Sequence, residues 1–172
     1  MCMTFDCLKS FVMQIRKANT SDTEAILEII LPTIRDGTTY ALDPQMTASD
    51  AIAYWTSAEK ETFVAEEDGQ VIGTYYIKPN QAGGGQHVCN CGFMTKTSVT
   101  GRGIAKSMCT HALQHASTSG YKAMQFNFVV STNHRAIQLW QSMGFDTVGR
   151  LPQAFLHPDK GYVDALVMYQ QL

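Results

Sequence analysis

Thr100-Gly101-Arg102-Gly103-Ile104-Ala105 lies where a strand-like pattern gives way to a helical one. Glycines at such a junction let the backbone approach a ligand closely. The first amides of the helix have no intrahelical acceptor, so the turn offers N–H donors to an anion such as phosphate. A glycine-rich turn alone is more often plain chain reversal, so its context must decide. Three asparagines form a second set. Asn90 and Asn127 fall within strand patterns, where asparagine is depleted; satisfaction by backbone groups is the structural alternative to a role in binding. Asn133 stands at a helix start, where its side chain caps the helix, reaches a ligand, or does both.

The elements that must position these residues are readable from periodicity. Val12 to Ala18 alternates as a first strand. Thr20-Ser21-Asp22 followed by Glu24 opens a helix whose apolar stripe is Ala25, Ile26, Ile29, Ile30 and Ile34, with Gly37 as its stop. After a loop over 38–44, Thr47 or Ser49 opens a second helix carrying Ile52 and Trp55. Strands follow at 62–66 and 71–78, joined by the hairpin signal Asp68-Gly69. A third strand in this run spans 87–97 and contains Gly92, whose presence signals a bulge or a close approach.

A helix over about 102–119 turns Ala105, Cys109, Ala112, Leu113 and Ala116 inward. In the next strand Met124, Phe126, Phe128 and Val130 alternate with Gln125, Asn127 and Val129. The last helix, capped by Asn133, aligns Ala136, Leu139, Trp140 and Met143, and Gly144 ends it; strands at 145–149 and 163–169 complete the sheet. The pattern predicts an α/β (α+β) domain with seven strands and four helices over residues 12–172, preceded by an extension over 1–11.

Composition narrows the classes. A 172-residue chain with 45% apolar and 16% charged residues has the makings of one core. Its formal charge of −2, with no run of Lys or Arg, gives no footprint for nucleic acid. No apolar stretch approaches the roughly 20 residues a membrane helix needs, and the leader lacks signal-peptide order, so a soluble protein is expected. Cys2, Cys7, Cys89, Cys91 and Cys109 are odd in number and form no CxxC pair, which reads as reduced cytoplasmic thiols. His87, Cys89 and Cys91 would lie along one extended strand face instead of converging on a metal, so no metal is expected. Lys106-Ser107 after the turn superficially suggests a nucleotide-binding P-loop. Thr100 and Ala105 nevertheless stand where that motif needs glycine, and no apolar strand ending in Asp follows to hold magnesium.

Gly103 and Ala105 occupy the small positions of a Gln/Arg-x-x-Gly-x-Gly/Ala signature. The segment Asn133-His-Arg-Ala136-Ile-Gln-Leu139-Trp140-Gln-Ser-Met-Gly144-Phe145 matches Asn-x-x-Ala-x-x-Leu-Tyr-x-x-x-Gly-Phe in its spacing. In both motifs, and in element order from about Met13 onward, the chain resembles the GCN5-related N-acetyltransferases. That resemblance implies a mixed, mostly antiparallel sheet with splayed fourth and fifth strands. It also implies acetyl-CoA as co-substrate and direct attack of an amine on the thioester. Thr100, Gly101, Arg102, Gly103, Ile104 and Ala105 would then hold the pyrophosphate, and backbone groups of Met94 and Thr95 the pantetheine. Thr100 replaces the signature's Gln/Arg, and Trp140 replaces the Tyr that protonates the departing thiolate in many members. A thiol of pKa about 8.5 is a tolerable leaving group without that acid.

Asn133 and Asn90 are the catalytic candidates under this resemblance, Asn133 also meeting the cofactor. Asn90, Asn127 and Asn133 are spaced as in the fungal proline-analogue acetyltransferases, and Thr38-Thr39-Tyr40 resembles phosphinothricin-type enzymes. Both similarities imply a small amino acid or analogue as acceptor, with Asn90 and Asn127 aiming it and Arg35 or Tyr40 meeting its carboxylate. His87 and Glu66 are the available proton acceptors. The rivals are a protein or polyamine acetyltransferase and a non-catalytic acyl-CoA-binding module. An acidic pocket would favour polyamines, whereas an amino acid needs anion-binding groups. Family members often dimerise, which makes a homodimer an expectation of the resemblance alone.

Overall fold

A computed structural model describes residues 13–172, so the extension expected over 1–11 lies outside the described residues. The chain runs β1 (Gln14–Lys17), α1 (Thr23–Asp36), α2 (Ala48–Trp55), β2 (Glu61–Glu67), β3 (Gln70–Pro79), β4 (Val88–Thr95), α3 (Ile104–Thr118), β5 (Ala123–Val130), α4 (His134–Ser142), β6 (Asp146–His157) and β7 (Gly161–Gln171). One seven-stranded sheet results, in the order β1-β2-β3-β4-β5-β7-β6. Only β4 and β5 pair in parallel; the other neighbours are antiparallel.

The two-residue period of the strands divides the core between the faces of the sheet. Phe63, Ala65, Tyr75 and Ile77 point to one side and pack with Met108, Cys109, Ala112 and Ala116 of α3. Val64, Tyr76 and Met94 point to the other, where Ile26, Ile29, Ile30 and Ile34 of α1 and Trp55 of α2 cover them. Thr74 and Asp22, both buried, find partners. Trp55 donates its indole N–H to Thr74 Oγ1 at 3.0 Å, and Thr74 donates to the Phe63 carbonyl at 2.9 Å. At the start of α1, Asp22 accepts the Asn19 N–H at 2.8 Å, while Arg16 bridges Asp22 and Glu66, each at 2.8 Å. The Arg16 guanidinium holds the Asp22 carboxyl below its ordinary range.

Two strands depart from their sequence patterns. In β5 the register against β7 shifts between Phe126 and Val129, so Val129 and Val130 are both buried and Phe128 is only half-buried. The bulge breaks the expected Met124-Phe126-Phe128-Val130 alternation. β6 continues to His157 where the sequence suggested an end at Gly149. It tolerates Pro152 because it is an edge strand whose register against β7 shifts between Leu151 and Phe155.

Gly92 marks a close approach of the kind its place in a strand suggested. A Cβ there would lie 2.6 Å from Tyr76 Cε1. The Tyr76 ring has little room to retreat, being held edge-on to Trp55 at 4.8 Å between centroids and to Tyr54 at 6.3 Å. Gly92→Ala is therefore expected to lower stability by about 1–3 kcal/mol, read from the midpoint of chemical denaturation, as overpacking does.

Candidate active site

The parallel ladder between β4 and β5 is short, pairing Val88 with Ala123 and Cys89 with Met124. At the next position a side chain takes over from the backbone: Asn90 Nδ2 donates to the Gln125 carbonyl at 2.8 Å. Beyond Asn90 the strands diverge. The register with β3 shows which backbone groups of β4 face the resulting gap. Lys96 N–H donates to Ile72 O at 2.9 Å, and Asn80 N–H to Val88 O at 2.8 Å, so the even-numbered residues of β4 bond to β3. Cys91, Phe93 and Thr95 then present their N–H and C=O groups to the gap. This corrects the expectation for Met94, whose backbone is committed to Thr74. The Phe93 carbonyl is already occupied, accepting the Tyr40 hydroxyl at 2.9 Å.

Two clefts, of about 390 and 380 Å³, open on this gap and share Phe93, Thr95, Asn133, Ala136 and Trp140 as common walls. The second cleft contains the turn before α3. Gly101 and Gly103 have φ of 95° and 79°, in the left-handed region that excludes most side chains. The first helical bond at this end runs from Ser107 N–H to Gly103 O at 3.0 Å, leaving the amides of Ile104, Ala105 and Lys106 without helical acceptors.

Side chains contribute differently from the sequence expectation. Thr100 Oγ1 donates to Thr97 O at 2.8 Å and stays within the turn. Arg102 forks onto the Glu67 carboxylate at 2.8 and 2.9 Å and does not line the cleft. The cations that do line it are Lys106 and Arg135, neither of which was singled out as a binding residue from sequence. Lys106 follows the turn directly and was detectable as its next charge. Finding Arg135 required knowing that α4 begins beside α3.

The first cleft gathers Asn90, Asn127 and Asn133 with Tyr40, Tyr54 and Tyr76. Asn127 accepts from Gln125 Nε2 at 2.8 Å and donates to Asn80 Oδ1 at 2.7 Å. Asn133 caps α4 by accepting the Ala136 N–H at 3.2 Å while bordering both clefts. Trp140 is 8% exposed and packs against Phe126 and Phe93, with centroids 5.0 and 5.3 Å away, so it is a core aromatic as well as a shared wall. Three other sequence candidates lie outside this cleft. Arg35 is exposed and donates to the Pro44 carbonyl, His87 is exposed, and Glu66 is paired with Arg16.

Among the described residues no carboxylate, imidazole, ammonium or guanidinium lines the first cleft. Burial pushes the Tyr40 and Tyr76 hydroxyls and the Cys91 thiol upward. The Lys60 ammonium lies 3.4 Å from the Tyr54 ring centroid and 4.5 Å from that of Tyr76, and burial brings its pKa down to about 8. No group of three or more His, Cys, Asp or Glu among the described residues is placed to hold a metal ion, and the Cys89 thiol donates to the Ala123 carbonyl within the core.

The chain has counterparts among known proteins. The profile of the Acetyltransferase (GNAT) family matches residues 25–145. The N-acetyltransferase aca1 of Schizosaccharomyces pombe is 32% identical over 151 residues, covering 78% of this chain and 72% of its own. A GCN5-related N-acetyltransferase from Kribbella flavida superimposes with a TM-score of 0.88 at 39% identity, covering 93% of this chain and 98% of its own. A phosphinothricin acetyltransferase (Pat) from Sinorhizobium meliloti, solved in complex with acetyl-CoA, shares the fold with a TM-score of 0.81 at 18% identity, covering 93% of this chain and 88% of its own. By the extent of the profile match and the identity to these relatives, the chain belongs to the acetyltransferase (GNAT) family.

Proposed function

We propose that this protein transfers acetyl from acetyl-CoA to the amine of a small amino acid or amino-acid analogue by direct attack. The observation that carries the reading is the union of two unlike clefts at Asn133 and Trp140. One offers unpaired helix amides with Lys106 and Arg135; the other offers amides and hydroxyls with no charge. The first suits a diphosphate. In the gap between them, the free N–H and C=O groups of Cys91 and Thr95 and the Phe93 N–H suit an extended, amide-bearing chain laid alongside β4 as an added strand.

Asn90 and Asn127 are assigned to aiming the acceptor, Asn133 to the thioester end of acetyl-CoA, and Tyr40 to fixing the Phe93 carbonyl at the cleft wall. With Arg35 outside the cleft, an acceptor carboxylate would be met by amide, hydroxyl or backbone donors such as the Asn127 amide. Without an acidic lining, a polyamine gains no counter-charge, which favours the amino-acid reading over that rival. Without a base in the cleft, the amine must lose its proton to water before it attacks, and the departing thiol, of ordinary pKa about 8.5, needs no strong acid. The similarity to phosphinothricin-type and fungal proline-analogue enzymes supports the same acceptor class. The free thiols Cys89, Cys91 and Cys109 fit a cytoplasmic setting.

Calorimetric titration with acetyl-CoA, followed by a thiol-release assay across amine classes, tests the reading. Turnover is expected with small amino acids or proline analogues. Robust acetylation of peptides or polyamines, with no amino acid accepted, would sink it; acetyl-CoA binding without any thiol release would make the protein a non-catalytic module.

The cation assignment separates two arginines near one turn. Arg135→Ala should weaken acetyl-CoA binding about tenfold, since it removes a charge-assisted contact, whereas Arg102→Ala should change it less than about twofold because Glu67 already holds that side chain. The two dissociation constants, measured by the same calorimetry, check this.

A further inference from the structure

The β6–β7 hairpin contains a local distortion. Between the paired positions Leu151–Ala165 and Phe155–Val163, three residues of β6, Pro152, Gln153 and Ala154, stand opposite a single residue of β7, Asp164. Gln153 adopts φ of 51°, a left-handed conformation that a side chain other than glycine rarely takes. Asp164 accepts the Gln153 N–H through Oδ1 at 2.8 Å and the Arg150 guanidinium through Oδ2, with its side chain only 14% exposed. Its own backbone carbonyl accepts the Ser131 N–H at 2.9 Å, in the turn that leads from β5 to Asn133.

The distortion has a target. Past the bulge, Phe155 is buried to 7% exposure and meets the Phe128 ring edge-on at 6.1 Å between centroids. Phe128 lines the acceptor cleft, next to Asn127 on the bulged stretch of β5. Strict alternation would send adjacent residues of β5 to opposite faces of the sheet; here both border the cleft. Bulges commonly re-aim side chains beside active sites, and this one brings a residue of the edge strand β6 against the cleft across β7.

We infer that Asp164 is a positioning residue for the acceptor cleft, its side chain holding the left-handed bulge at Gln153 so that Phe155 braces Phe128. The inference rests on the acetyl-transfer reading of the cleft and adds a specificity-setting element outside it. Asp164 touches neither substrate; it acts through Phe155 and Phe128 on the acceptor, and the cleft containing the turn before α3 does not include these residues.

The test is a split between the two substrates. With a turned-over amine, Asp164→Ala should raise the KM for the amine about tenfold while leaving acetyl-CoA affinity within about twofold, a separation that general loss of stability does not produce. Asp164→Asn, which keeps an oxygen for the Gln153 N–H, should stay within about threefold of the parent. Adding Gln153→Gly to Asp164→Ala should restore the amine KM, because glycine adopts the left-handed conformation without the steric cost that glutamine meets. An unchanged amine KM, parallel changes for both substrates, or failure of the glycine rescue would each overturn the inference. If the parent protein turns over no amine, the acceptor reading falls by itself. Amide hydrogen exchange in residues 127–133 then decides the role of Asp164: faster exchange in Asp164→Ala, reversed by Gln153→Gly, supports it, and unchanged exchange overturns it.

Discussion

The hydrogen bond from Asn90 Nδ2 to the Gln125 carbonyl governs the rest of the site. A parallel pair of strands in the middle of a sheet ordinarily continues its ladder, because each unpaired buried backbone group costs as much as a lost hydrogen bond. Here the ladder stops after Cys89 and Met124, and a side-chain amide makes the next link across to β5. Past that link, β4 behaves as an internal edge, with backbone groups at Cys91, Phe93 and Thr95 directed into the opening. An open edge is a liability at the rim of a sheet; between two layers of helices it is a slot shaped for an extended ligand. The starts of α3 and α4 lie against this slot, and so Gly103, Asn133 and Trp140 border the same space despite their separation in sequence.

Charge is distributed unevenly along the slot. Cations collect at the end where the α3 amides emerge, through Lys106 and Arg135, while Glu67 withdraws Arg102. At the other end, ionisable residues expected from sequence to contribute are held elsewhere: Glu66 by Arg16, Arg35 by the Pro44 carbonyl, and His87 on the surface. What remains is a wall of amides and phenols, with the Tyr40 and Tyr76 hydroxyls kept protonated by burial. Such a wall can orient and hydrogen-bond, but it cannot take a proton near neutral pH. Under the proposed function, catalysis would rest largely on placement.

The elements were legible where local and tertiary preferences agreed. The isoleucine stripe of α1 and the Asp68-Gly69 hairpin each have one physical reading, and the structure shows them in it. Residues 150–157 were not legible as a strand, because Gly149 and Pro152 both argue against one and the compensation comes from a residue in another strand, Asp164. Asn90 stood out because asparagine is unusual in a buried strand, although its partner could not be named. Tyr54, Tyr76, Phe128 and Arg135 carried no signal of their own. They reach the clefts through helix packing and a β-bulge, which motif spacing does not encode.

Under the proposed function, placement in an uncharged cleft, without a protein base, suffices for acetyl transfer. It is tested most directly by the pH dependence of kcat/KM for two acceptors whose amine pKa values differ by about two units, since this quantity reports ionisations of the free enzyme and free substrate. Each profile should rise with pH and level at the pKa of its own amine, unchanged by His87→Ala or Glu66→Gln. A break at one common pH for both acceptors, removed by substitution of a single side chain, would contradict it.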